Sequence, residues 1–116
     1  MYYNLSISEI DVQQLALRLA QANQPLQLID VRERSEADLA KIEGFDLYPL
    51  SEFEQWSEEM LTSLQPEAET IVLCHHGMRS AQLCQWLAIR GFSNIYNVMG
   101  GIDAYSLAID STVYRY

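Results

Sequence analysis

The 116 residues amount to one domain's worth of chain, 49% apolar and 20% charged with a mean hydropathy of −0.08, and a chain of this size can bury roughly two-thirds of its unfolded surface without a disulfide framework or structural metal. Seven basic against 16 acidic residues leave a net charge of −9, which disfavours nucleic acid and anionic membrane as partners, since both require basic surface. No run approaches the ~18 apolar residues of a membrane span, Met1-Tyr2-Tyr3-Asn4 has neither region of a secretory signal, and two cysteines, Cys74 and Cys84, cannot frame a disulfide scaffold; a single domain over residues 1–116 in the reducing cytoplasm is expected.

In chain order, Ser8 followed by Asp11 reads as a helix start. Ile10, Leu15, Leu17, Leu19 and Ala20 give a helix over 10–22, stopped by Asn23-Gln24-Pro25. Residues 26–31 read as a strand, and 35–39 as a short helical turn. Residues 44–50 form a short extended piece that ends at Pro49. Ser51 and Glu54 stand at capping-box spacing before the helical stripe Phe53, Trp56, Met60, Leu61 and Leu64, and Pro66 closes that helix. Residues 70–73 are a buried strand by β-branched content. A compact loop, 74–79, precedes a helix over 80–89 with Leu83, Cys84 and Leu87 on one face and Gly91 past its end. A strand at 95–98, the turn Gly100-Gly101 and a helix at 102–108 follow. The tail 110–116 has no periodicity.

Strands separated by helices predict an α/β fold, a central parallel sheet of about five strands with helices on both faces. Working sites in such sheets lie beyond the carboxyl ends of the strands. Two strand ends carry polar residues there: Asp30-Val31-Arg32 and Cys74-His75-His76-Gly77-Met78-Arg79-Ser80.

Cys74 leaves a buried strand and precedes a helix. Backbone N–H groups at a helix N-terminus favour negative charge, and so favour thiolate, the nucleophilic form. Gly77 lets the loop amides turn toward one centre as an anion nest, and Arg79 adds a fixed charge. A free cysteine is most often core filler, but core filler belongs within a strand rather than at its exit. Cys84, on an apolar helix face, reads as core.

The run C-H-H-G-M-R-S at 74–80 resembles the C-x-x-G-x-R-[ST] active-site loop of rhodanese-like sulfurtransferases. The resemblance extends over nearly the whole chain: Leu28-Ile29-Asp30-Val31-Arg32 with Glu36, then Gly44, Pro49 and Leu50, then Gly91-Phe92 through Gly100-Gly101-Ile102. Lys41, Phe45 and Tyr105 depart from the usual pattern. The resemblance implies a single rhodanese-like domain and ping-pong sulfur transfer. Cys74 takes the sulfane sulfur of a small anionic donor such as thiosulfate as a persulfide. A thiophilic acceptor (cyanide, a thiol or a partner protein) then removes it. Amides from His75 to Ser80, across His76, Gly77, Met78 and Arg79, would cradle the transferred sulfur. The alternative is a persulfide carrier with little free turnover. Cysteine phosphatases and arsenate reductases use a C-x5-R loop, one residue longer than the C-x4-R span from Cys74 to Arg79, and are disfavoured on that ground.

Arg79 is read either as binding the donor or as bracing the loop through Asp30. Arg32 is expected to pair with Glu36 or to support the loop, and Asp30 to orient the loop's donors or cap the following turn. His75 and His76 are adjacent in a tight loop and cannot readily supply a structural metal's ligand set, so no metal is expected. The Phe53–Trp56–Met60 stripe is core rather than a cofactor box, and no cofactor is expected.

Overall fold

The structure, a computed structural model, describes residues 7–21, 23 and 25–116. Its sheet has five parallel strands in the order β1-β5-β4-β2-β3: β1 Ser8–Ile10, β2 Gln27–Asp30, β3 Asp46–Leu47, β4 Thr70–Leu73 and β5 Ile95–Val98. The helices are α1 Val12–Gln21, α2 Arg34–Leu39, α3 Phe53–Ser63, α4 Met78–Ile89 and α5 Gly101–Ala108.

The two-residue period of β4 divides the core. Val72 and Cys74 face a cluster containing Trp56 and Met60 of α3 and Leu83, Cys84 and Leu87 of α4. Ile71 and Leu73 face the opposite cluster, with Val12 and Leu15 of α1 and Ile102 of α5. All four β4 residues are buried, as expected of a central parallel strand with helices on both faces. Phe45 and Tyr105, two departures from the family pattern, pack against the second cluster. Among the described residues no helix is long and apolar enough to cross a membrane.

The structure corrects several boundaries. The segment read as the first helix opens instead with β1, which pairs along β5 with Ile10 opposite Val98. The cap of α1 is Asp11, not Ser8: Asp11 Oδ1 accepts from Gln14 N–H (2.8 Å) and Gln14 Oε1 accepts from Asp11 N–H (2.9 Å), a reciprocal capping box. Ala22 and Gln24, in the predicted helix end and stop, lie outside the described residues, as does Met1-Tyr2-Tyr3-Asn4. The extended piece at 44–50 yields only the two residues of β3. A 3-10 turn then runs over Leu50–Glu52. Ser51 and Glu54 form no capping box, because Ser51 Oγ and N–H are both taken by Glu33. Helix α4 starts at Met78, two residues before the predicted start, which shortens the loop to residues 74–77.

Candidate active site

Cys74 stands one residue beyond β4, at the carboxyl end of the sheet. Two features shape the loop that follows. Gly77 adopts φ +102°, where a side chain is strained and a Cβ would meet the Val98 carbonyl at 3.2 Å. Gly101, at φ +59°, opens α5 directly against the loop, and a Cβ there would collide with the carbonyls of Cys74 and His75. Those carbonyls accept from the N-terminal amides of α5, Ile102 N–H to Cys74 O (2.9 Å) and Asp103 N–H to His75 O (3.1 Å). With its carbonyls held on one side, the loop turns Gly77 N–H inward to the Cys74 sulfur at 3.1 Å.

Ser80 belongs to the first turn of α4, and its side chain reaches the sulfur. Its Oγ lies 3.2 Å from Cys74 Sγ and donates to Asn97 Oδ1 at 2.5 Å. Cys74 is only 1% exposed. The sulfur therefore has almost no contact with solvent. Met78, on the rim, is 80% exposed. Cys84 is fully buried on α4, and burial pushes its thiol up to about 12; it stays a neutral core thiol at physiological pH.

The charged residues pair differently from expectation. Arg79 does not reach Asp30. Its two terminal nitrogens clasp Glu36 of α2 at 2.6 and 2.9 Å. The hydrogen bonds from Arg79 hold Glu36 down to about 2, and Glu36 in turn raises the Arg79 guanidinium above its ordinary value. Arg32 pairs with Asp30 rather than with the Glu36 carboxylate. Nε and Nη2 span both Asp30 oxygens at 2.8–3.1 Å. The remaining guanidinium hydrogens go to the main-chain oxygens of Glu36 and Ala40 and to Tyr116 Oη. Asp30 also accepts from Arg32 N–H at 3.0 Å, the turn-capping role. A fully buried arginine needs this degree of satisfaction.

The tail without periodicity returns to the site. Tyr116 Oη donates to Glu36 Oε2 (2.8 Å) and accepts from Arg32 (3.0 Å), and burial pushes its hydroxyl up to about 12. Its ring stacks on His75 with centroids 4.0 Å apart, and His75 stacks on His76 at 3.9 Å. His75 Nε2 meets the main-chain oxygen of Tyr116 at 3.0 Å. His76 lies 3.7 Å from Asp103, which is paired with Arg115. Ligand atoms of His75, His76 and Asp103 come within 4.8 Å of one another, and each of these residues has a protein partner that accounts for its position.

Sequence reasoning missed Asn97, Glu9 and Tyr116. Asn97 stands three residues before Gly100-Gly101 on β5, a position where a buried polar residue is itself a signal. Tyr116 carries no local signal at all.

The family model for the rhodanese-like domain matches residues 11–108. The chain belongs to the rhodanese-like domain family. It is 46% identical over 90 residues to the rhodanese-like/PpiC domain-containing protein 12, chloroplastic, of Arabidopsis thaliana, covering 78% of this chain and 30% of that protein. It is 27% identical over 100 residues to a sulfurtransferase of Allochromatium vinosum, covering 86% of this chain and 89% of the relative. The fold matches the crystal structure of a rhodanese-like domain protein from Staphylococcus aureus with a TM-score of 0.74 at 24% identity, over 95% of this chain and 99% of that one. The chain spans 20% to 50% of the length of the first curated relatives it matches.

Proposed function

We propose that this domain is a sulfurtransferase in which Cys74 carries the transferred sulfur as a persulfide. The observation that carries the reading is the Cys74 sulfur at a strand exit, receiving Gly77 N–H at 3.1 Å beneath the start of α4. In the first half-reaction the Cys74 thiolate attacks the outer sulfur of thiosulfate. The Sγ–S bond forms, the S–S bond of thiosulfate breaks, and sulfite leaves with the bonding pair. In the second, an acceptor such as cyanide takes the outer sulfur as thiocyanate and the thiolate returns. Loop amides serve the negative charge on the terminal sulfur. The short C-x4-R span favours a single sulfur over a tetrahedral phosphoryl group. No cofactor or metal takes part.

The Glu36 clasp bears on substrate choice. Because Arg79 is already neutralised, it offers a dianionic donor little net attraction. That supports a thiol or protein persulfide as a working partner beside thiosulfate, and so a carrier role alongside turnover. Two free thiols fit a reducing compartment such as the cytoplasm, and the match over residues 11–108 supports reading the stretch as one rhodanese-like domain.

The test is incubation with thiosulfate followed by intact-mass measurement and peptide mapping. A gain of about 32 Da, one sulfur atom, on the Cys74 peptide is expected. Absence of any adduct from thiosulfate and from a small organic persulfide would refute the reading, as would Cys74-dependent turnover of p-nitrophenyl phosphate.

A further inference from the structure

A hydrogen-bond chain runs from the edge strand to the sulfur, and its hydrogens can be counted. Asn97, buried on β5, donates from Nδ2 to Glu9 Oε2 on β1 (3.1 Å) and to the Gly77 carbonyl (3.0 Å). Both amide hydrogens are used, which fixes the orientation of the amide. The flipped amide would set its oxygen against two acceptors. Asn97 Oδ1 therefore faces Ser80 Oγ, 2.5 Å away, and takes its single hydrogen. Toward Cys74 Sγ, at 3.2 Å, the serine has only a lone pair to offer. In this arrangement the S–H of Cys74 is the donor. Gly77 N–H is the remaining hydrogen-bond donor to the sulfur among the described residues.

We propose that Asn97 is a positioning residue that acts through Ser80: by holding the Ser80 hydrogen it keeps that hydroxyl from donating to Cys74, so the hydroxyl can serve a Cys74 thiolate only by leaving Asn97. The proposal rests on Cys74 being the sulfur-accepting nucleophile. On ionisation the S–H bond breaks, its electron pair stays on Sγ and the proton passes to solvent buffer. The Ser80 hydrogen stays on Oγ but swings from Asn97 Oδ1 to the thiolate. A buried amide oxygen is then left without its donor, which opposes the thiolate.

Charged and titratable groups face this end of the sheet from every neighbouring element. They are Glu9 of β1, the Asp30–Arg32 pair after β2, the Glu36–Arg79 pair joining α2 to α4, His75 and His76 of the loop, Asp103 of α5, Cys84 of α4 and Tyr116 of the tail. None of them is substituted in the test, so they form a common background.

The full chain is labelled at cysteine Cβ, and ionisation of Cys74 is followed by NMR against pH, with iodoacetamide alkylation in parallel. Asn97→Ala frees the Ser80 hydrogen for the sulfur. Its profile is expected about one pH unit more acid than wild type, with alkylation near neutral pH up to about tenfold faster. In the Ser80→Ala background the same substitution is expected to do nothing. That cancellation separates action through Ser80 from a change in packing or in the Glu9 charge. An unshifted or more alkaline Asn97→Ala profile, or an equal shift without Ser80, would overturn the proposal. If Asn97→Ala does not fold, Ser80→Ala alone decides. Less than about half a pH unit of change is expected, because that hydrogen is already committed to Asn97. A rise of a full unit would show Ser80 serving the thiolate freely and would overturn the proposal. Thiosulfate loading is read separately by mass, so a wild type that never loads refutes the persulfide reading while the ionisation profiles still judge Asn97.

Discussion

Arg79 and Glu36 face each other across the rim of the site, joined by two hydrogen bonds of 2.6 and 2.9 Å. The pair ties α4, which follows the cysteine loop, to α2, which follows β2. Tyr116 Oη and Glu33 N–H add two further bonds to the same carboxylate. The loop is thus clamped on its outer side by a charge pair, and on its inner side by the amides of α5.

The clamp predicts a pH dependence. The Arg79 hydrogen bonds lower Glu36 to about 2, below the ordinary carboxylate range. A depressed carboxylate stabilises the fold fully above its unfolded value of about 4.5, and the contribution falls away as pH drops toward 2. Melting temperature is expected to decline over that window in wild type. In Glu36→Gln the decline is expected to be shallower, from a lower plateau. Parallel acid limbs in scanning calorimetry of the two proteins would contradict the clamp.

The two cysteines are expected to behave oppositely. Cys74→Ser removes sulfur loading entirely, since a hydroxyl cannot hold a persulfide. Cys84→Ala keeps loading on Cys74, at a stability cost of about 1 kcal/mol for trimming a buried side chain. Intact mass after thiosulfate treatment and urea unfolding measure the two effects.

Tyr116→Phe keeps the ring on His75 but deletes the hydroxyl between Arg32 and Glu36. One hydrogen of a fully buried guanidinium then loses its acceptor. A loss of about 1–3 kcal/mol is expected, readable in urea unfolding. Loading on Cys74 is expected to persist. Unchanged stability would mean that the tail is not docked in solution.

Gly101→Ala is expected to be the most damaging small substitution at the site. It forces a side chain to φ +59° and into the carbonyls of Cys74 and His75, which the α5 amides otherwise hold. Strain of this kind costs about 1–3 kcal/mol. Loading should fall together with melting temperature, whereas a variant with native stability and native loading would show that the loop does not depend on this close approach.

The cysteine loop was legible because its determinants are local. A buried β-branched strand, a glycine and an arginine within six residues, and the start of an apolar helix fix where the sulfur sits before any tertiary contact is considered. Alternating strands and helices likewise dictated a parallel sheet, and the helix-face position of Cys84 marked it as core. Tertiary structure decided the partners. Asp30, Arg32, Glu36 and Arg79 permit more than one pairing in sequence, and only the docking of α2 over the sheet end gives Arg32 to Asp30 and Glu36 to Arg79. Segment 8–10 is too short to declare itself a strand and becomes one by pairing with β5. Asn97 meets Ser80 across 17 residues and Glu9 across 88, and Tyr116 meets Arg32 across 84. Hydrogen bonds of that span leave no periodic trace in a sequence; they exist because packing brings those groups together where water cannot satisfy them.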